Sequence, residues 1–310
     1  MTATVTLSEP VATVPKTMTG PRGAKPKRRF APRTIMLYGI LIVAALYYIL
    51  PLYVMIVTSL KGMPEIRMGN IFAPPLEMTF EPWVKAWDSA CTGLYCEGIK
   101  VGFWNSVRIT VPGVIVSIAI AAVNGYALAN WRFKGSELFF TILLFGAFIP
   151  YQVLLYPLVI LLRELGLFST LAGVTLVHTV FGMPILTLLF RNYFAALPVE
   201  LFKAARVDGA GFWQIFFQIY LPMSLPIFVV GMILQVTGIW NDFLFGVVFA
   251  GNQNYPMTVQ LNNVVNAVQG VKEYNVNMAA TLLTGAVPLI VYFVSGRLFV
   301  RGIAAGAVKG

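Results

Sequence analysis

Charge is scarce in this chain. Only 11% of its 310 residues are Asp, Glu, Lys or Arg and 58% are hydrophobic, where a soluble domain carries about 25% charged residues. That balance excludes a soluble globular enzyme and points to an integral membrane protein. Histidine is nearly absent, the single copy being His178. The two cysteines, Cys91 and Cys96, have no His or acidic partner at metal-ligand spacing, so no metal site is expected. No GxxxxGKS/T phosphate loop, HExxH helix or GxSxG elbow occurs. Strand-like alternation is missing from the apolar runs, which argues against a barrel. Ion-driven carriers need intramembrane acids and tend to have repeated halves; no repeat is evident here and one acid lies at membrane depth. Any uphill transport must draw its energy from another chain.

What the sequence does have is apolar length. The runs Ile35 to Leu60, Ile109 to Trp131, Leu138 to Leu162 and Leu165 to Phe190 carry no Asp, Glu, Lys or Arg, and each reaches the roughly 20 residues that cross hydrocarbon. Pro222 to about Val248 and Asn277 to Gly296 are further candidates. Only intrasegment bonding satisfies backbone groups in lipid, so the expectation is an all-α membrane protein with six transmembrane helices. Residues 1–33 form a polar, Pro-rich basic tail, 34–300 the six-span domain and 301–310 a short tail. The run after the basic tail is too long for a cleaved signal core. A basic tail can bind nucleic acid, but beside a span it serves orientation and contact with anionic lipid.

An even number of spans puts both termini on one side. Of the 22 basic residues, fifteen fall on the face that holds the tail, Arg132, Lys134, Arg191, Lys203, Arg206, Arg297, Arg301 and Lys309, and seven on the other. The richer face is expected to be cytoplasmic. Cys91 and Cys96 then share a long outer loop, where a local disulfide and two free thiols are both open. His178, mid-run, is expected to make an interhelical hydrogen bond rather than to bind a ligand. Asn124, Gln152, Asn241 and Asp242 are the polar groups in or near spans and should face the interior.

Between the fourth and fifth runs lies "ELFKAARVDGAGFWQIFFQIYLP", with four charges in nine residues. Leu197-Pro198 predicts a helix start with proline at the first helical position, and Glu200 favours the positive end of the helix dipole. Gly209 and Gly211 are expected to bend the chain. Phe212, Ile215, Phe216 and Ile219 then form a stripe suited to the membrane boundary, ended by Leu221-Pro222. An elbow over residues 197–221 on the cytoplasmic surface is the expectation, an ordinary amphipathic connector being the plainer alternative.

The spacing Ala204-Ala205, Gly209, Ile219, Leu221-Pro222 resembles the EAA loop of ABC importer permeases, with Lys203 where glutamate is usual. "NSV" at Asn105 to Val107, "YALANWRFKG", "FIPYQVLLYPL", "WNDFLF" and the terminal "GRLFVRGIAAGAVKG" are similar to MalG-like permease subunits of carbohydrate importers. The segment from Pro256 to Ala280 looks nearest to permeases of the glucose/mannose type. The resemblance implies a non-catalytic subunit of a bacterial inner-membrane sugar importer. Implied partners are a second permease, an ATPase dimer that uses ATP and Mg, and an external sugar-binding protein. The elbow becomes the coupling helix: Ala204, Ala205 and Gly209 for close docking and the turn, and Glu200, Lys203, Arg206 and Asp208 for polar contact with the ATPase. The four charges could equally form a solvated face. The tail places Lys309 near the ATPase. Gln152, Asn241 and Asp242 are pathway candidates. Asp242 lies about 30 Å beyond Pro222 by helical rise, which suits an outer gate or a helix-end contact better than a central sugar site. The competing functional classes are a self-sufficient carrier of a small polar solute and a membrane enzyme or assembly factor, for which no nucleophile or base can be named.

Overall fold

A computed structural model describes residues 32–307 apart from 94, 132 and 268–271, with the backbone alone for 297–307. Residues 1–31 of the basic tail, Arg132 and Lys309 therefore lie outside the described residues, while Pro32 and Arg33 open α1. Among those described no strand occurs. The chain runs α1 (Pro32–Ser59), α2 (Met63–Met68), α3 (Glu81–Asp88), α4 (Lys100–Asn130), α5 (Ser136–Ala147), α6 (Tyr151–Glu164), α7 (Leu171–Ala196) and α8 (Val199–Val207). A short helix α9 (Phe212–Ile215) continues through a π-helical turn (Phe216–Tyr220) into α10 (Leu221–Met223). After it come α11 (Leu225–Trp240), α12 (Leu244–Phe249), α13 (Met257–Asn266) and α14 (Tyr274–Ala307).

Four stretches are long and apolar enough to cross a membrane unbroken: α1, α4, α7 and residues Tyr274–Gly296 of α14. The expected run Leu138 to Leu162 is not one rod. It is α5 and α6, bent by 100°, because Pro150 cannot continue the helix it follows and instead stands as the N-cap of α6. The fifth expected run starts at Leu225 rather than Pro222. Leu221-Pro222 stays helical, and the chain turns at Ser224, so that Phe212–Met223 and α11 meet at 79°. The far end of that run is also cut, since α11 stops at Trp240 and Asn241 caps it. The count is thus four spans, or up to six with each bent pair taken as one.

The chain divides into two compact units, residues 1–50 and 51–310. In the first, the helical residues are exposed apolar groups such as Tyr47 and Tyr48, as expected of a helix whose solvent is lipid. The second holds the core, built where α4 and α7 pack together and α11 closes over them. Gly125 permits that approach. A Cβ there would lie 2.6 Å from Phe190 Cβ and 2.7 Å from the Arg191 nitrogen, backbone that cannot swing aside. Proline inside α4, α7 and α14 is tolerated because neighbouring helices and Ser/Thr groups re-satisfy the freed carbonyls. In α14, for instance, Pro288 frees the Thr284 carbonyl, which accepts from Trp240 Nε1 of α11 at 2.9 Å.

Substituting Gly125→Val should force α4 and α7 apart and destabilise the fold by about 1–3 kcal/mol, as overpacking does. Thermal unfolding in detergent checks this, with Gly238→Ala, where a Cβ meets nothing within 4 Å, as the neutral control.

Candidate functional site

The elbow is built from the residues upward. Helix α8 is capped by Pro198, one position earlier than its expected place inside the helix. At its other end the Ala210 N–H donates to the Ala205 carbonyl (2.9 Å) and the Gly209 N–H to Arg206 (3.2 Å). This is a Schellman close, and it requires a left-handed residue, which Gly209 supplies at φ 81°. Gly211, expected to bend in the same way, is extended at φ −82° and ψ 177°. The turn is one glycine deep.

Helical spacing sorts the side chains of α8 onto two faces. Glu200, Lys203, Ala204, Val207 and Asp208 are exposed and recur at i, i+3, i+4, i+7 and i+8. Val207, 87% exposed, puts an apolar side chain among them. Ala205, expected to dock outward, is instead buried against the bundle. Arg206 is likewise occupied within the elbow: its guanidinium lies 4.8 Å over the Trp131 ring and donates to the Ala210 carbonyl at 3.3 Å.

The inner face of the elbow seats in aromatics. Tyr126, fully buried near the end of α4, lies 4.8 Å from Phe212, 5.3 Å from Phe216 and 4.9 Å from Tyr220 by ring centroids. Its hydroxyl donates to the Phe212 carbonyl (3.3 Å). Trp131 meets Phe202 at 5.6 Å and Phe212 at 5.3 Å. The Tyr220 hydroxyl donates to Asn130 Oδ1 at 2.7 Å, which ties the end of α4 to the π-helical turn. The stripe Phe212, Ile215, Phe216, Ile219 therefore faces the protein core rather than the membrane boundary, with Ile215 and Phe216 nearly inaccessible. Val207 and the Tyr126, Asn130 and Trp131 socket were not singled out from the sequence. The only signal for the socket was the aromatic and amide spacing within "YALANW".

The pathway candidates lie at helix ends. Gln152 and Asn241 are exposed, at the start of α6 and the end of α11. Asp242 holds the α11–α12 corner: its Oδ2 accepts from the Gly246 N–H at 3.1 Å and its carbonyl from Thr258 Oγ1 at 2.5 Å. His178 Nε2 faces Asp242 Oδ2 at 3.6 Å, while the His178 carbonyl accepts from Gln235 Nε2 at 3.4 Å. Gln235, a buried amide in the otherwise apolar α11, also escaped the sequence reading; an amide in such a run is a signal in itself. Cys91 and Cys96 are joined as a disulfide. Among the described residues no group of three or more His, Cys, Asp or Glu could hold a metal ion.

Residues 110–305 match the model of the "binding-protein-dependent transport system inner membrane component" family. The chain belongs to that family. It is a permease component of an ABC transporter, a non-catalytic membrane subunit whose ATPase is a separate chain. The permease is 36% identical over 285 residues to a probable ABC transporter permease protein of Pyrococcus horikoshii, covering 91% of this chain and 100% of that one. It is 38% identical over 230 residues to the alpha-glucoside transport system permease protein AglG of Rhizobium meliloti, covering 72% and 60%. A crystal structure of a bacterial ABC transporter involved in the import of the acidic polysaccharide alginate contains a chain of the same fold, with TM-score 0.73, 22% identity, and coverage of 87% of the permease and 99% of that chain.

Substitutions at two places probe this geometry. In the permease, Trp131→Ala and Phe202→Ala should each loosen the elbow, and a double-mutant cycle should show coupling of about 0.5–1.5 kcal/mol, as for aromatic pairs elsewhere. Protease cleavage in residues 199–211 reads it. For Asp242→Ala the loss of the N–H acceptor at α12 should cost about 0.5–2 kcal/mol in thermal unfolding, and Asp242→Asn, which keeps an acceptor, should recover most of it.

Proposed function

We propose that the permease forms half of the translocation pore of an ATP-driven sugar importer and that α8 is its coupling helix. In this reading six spans cross a bacterial inner membrane, the bent pairs counting as one each, and both termini are cytoplasmic. An ATPase dimer, which uses ATP and Mg, clamps the elbow from inside. A second permease completes the pore, and an external sugar-binding protein delivers the substrate. One observation carries the reading: α8 offers an exposed face of Glu200, Lys203, Ala204, Val207 and Asp208 while its other face is locked by Phe202 and Ala205 into the bundle. A partner that grips the first face moves the second.

The mechanism follows from that division. ATP binds the closed ATPase dimer better than the open one, so closure shifts the population of the attached permease as well. The stroke enters at Ala204 and Val207, passes through the Phe202–Trp131 contact and the Tyr126 cluster, and reaches α4 and α7 as rigid rods. With Lys203 at the usual glutamate position, docking rests on shape and on the apolar Val207 more than on one ion pair. The sugar class is supported by the alpha-glucoside relative, and the glucose/mannose preference by residues 256–280. Competition among glucose, mannose and disaccharide α-glucosides for uptake separates a monosaccharide carrier from a glucoside one.

Gly209→Asp tests the coupling role. The turn has open space around it in this chain, with nothing within 4 Å of a Cβ, so the damage comes from the left-handed backbone and from a charge thrust toward the ATPase. The variant, and Val207→Asp beside it, should insert normally, lose ATPase co-purification and lower uptake at least about tenfold. Normal ATPase attachment in both would remove α8 from the coupling path.

A further inference from the structure

The segment that joins α1 to α3 turns its polar atoms inward and its apolar side chains out. The Thr79 N–H donates to the Leu60 carbonyl (3.0 Å), the Leu76 N–H to Glu65 Oε1 (2.9 Å) and the Phe72 N–H to Asn70 Oδ1 (2.8 Å). Lys61, only 2% exposed, commits its Nζ to the Asn70 carbonyl at 3.2 Å. These bonds hold the loop in one shape before any partner arrives. Yet Met68, Ile71, Phe72, Leu76, Met78 and Phe80 are all exposed, Leu76 at 89% and Met68 at 86%. Single exposed apolar groups are ordinary, whereas six between Met68 and Phe80 on a fixed backbone mark a contact surface.

The loop's own course identifies what covers it. It folds back along α1, where the Tyr53 hydroxyl donates to the Phe72 carbonyl at 3.0 Å. Tyr53 stands six residues before Ser59, the last residue of α1, which is about 9 Å back along the helix at roughly 1.5 Å per residue. That point lies inside the uncharged run ending at Leu60, and Leu52, Tyr53 and Ile56 around it are themselves exposed. Phe72 therefore joins the flank by which α1 meets lipid. Interfacial elements sink their apolar face by about 5–10 Å, the same depth. Charge agrees with this cover. From Met68 to Leu76 there is no Asp, Glu, Lys or Arg, and exposed Arg67 and Glu77 bracket the stretch. A protein partner is fixed in register by complementary charge; lipid asks only for apolar surface with charges left at headgroup level. Pro74-Pro75 also removes two backbone donors that would go unsatisfied in an acyl layer.

We propose that residues 68–80 are a membrane foot, a preformed loop that inserts its apolar side chains into the headgroup and acyl boundary of the lipid leaflet beside the end of α1. The side of the membrane, the outer one, rests on the importer reading above; the lipid contact does not. The foot is joined to the bundle through Lys61, whose carbonyl accepts from Asn275 Nδ2 of α14 at 2.9 Å. Lipid thus fixes the ends of α1 and α14 at the membrane surface while the other spans rearrange.

The test uses the assembled transporter, with its second permease and ATPase, in phosphatidylcholine nanodiscs. A nitroxide is placed singly at Phe72→Cys, at Leu76→Cys and, as the water-exposed reference, at Gln253→Cys, whose carbonyl accepts from Asn105 near the start of α4 (3.3 Å). Cys91 and Cys96 are joined and do not take the label. Power-saturation EPR reads collisions with oxygen, which enters lipid, and with nickel-EDDA, which stays in water. Labels at 72 and 76 should favour oxygen and lie about 5–10 Å below the phosphates, while the label at 253 favours nickel. Adding the sugar-binding protein should leave the depth unchanged. The foot is overturned if labels at 72 and 76 behave like the one at 253. It is equally overturned if both reagents are excluded, or if oxygen access is lost when the binding protein is added, since a protein then covers the loop. Sidedness is read apart, by reaction of Gln253→Cys with a membrane-impermeant maleimide in right-side-out vesicles. Lipid contact without that reaction removes the outer-face reading alone; reaction without lipid contact removes the foot alone.

Discussion

The structure depends on one junction, the insertion of the elbow into the aromatic socket at the end of α4. Tyr126 is enclosed by Phe194, Phe212, Phe216 and Tyr220, and Trp131 receives Phe202 and the guanidinium of Arg206. Ring contacts of this kind are close-packed and poorly compressible. A displacement of α8 therefore cannot be absorbed locally. It must be passed to α4 and α7, which Gly125 lets pack backbone to backbone.

The opposite end of α4 is organised differently. There an aromatic cluster of Trp87, Phe103 and Trp240 is joined by polar contacts between short helices: Asp242 ends one helix and accepts from the next, Lys85 pairs with Glu273 at 2.7 Å, and Asn275 donates to the Lys61 carbonyl at 2.9 Å. Lys61 is itself buried, its Nζ donating to the Asn70 carbonyl at 3.2 Å. Hydrogen bonds tie this end to α14 and α13 at defined points.

Much of this was legible in the residue order. The long uncharged runs announced membrane helices because lipid leaves the backbone no other partners. The EAA-like spacing announced the elbow, since it depends on a helix followed at a fixed distance by the single left-handed residue Gly209. The breaks were harder to see. Pro150 and Ser224 lie inside uncharged stretches, and hydropathy carries no information on direction, so it did not reveal bends of 100° and 79°. Pro222 misled in the opposite sense: a proline in the first turns of a helix fits without breaking it, and a π-helical turn precedes it.

The division between sequence and fold has a simple physical origin. Composition alone determined the solvent of this protein, the helical class and the absence of catalytic chemistry, because these depend on how many groups of each kind must be satisfied and not on where they meet. Which face of α8 is free was decided only by tertiary packing. Ala204 and Ala205 are identical in sequence terms, yet one is exposed and the other buried, because the 100° step between neighbours on a helix places them on opposite sides of the line along which Phe202 meets Trp131. The pairing of Cys91 with Cys96 and the capture of Arg206 by the elbow likewise required the folded chain, since each brings together groups whose partners no spacing rule specifies.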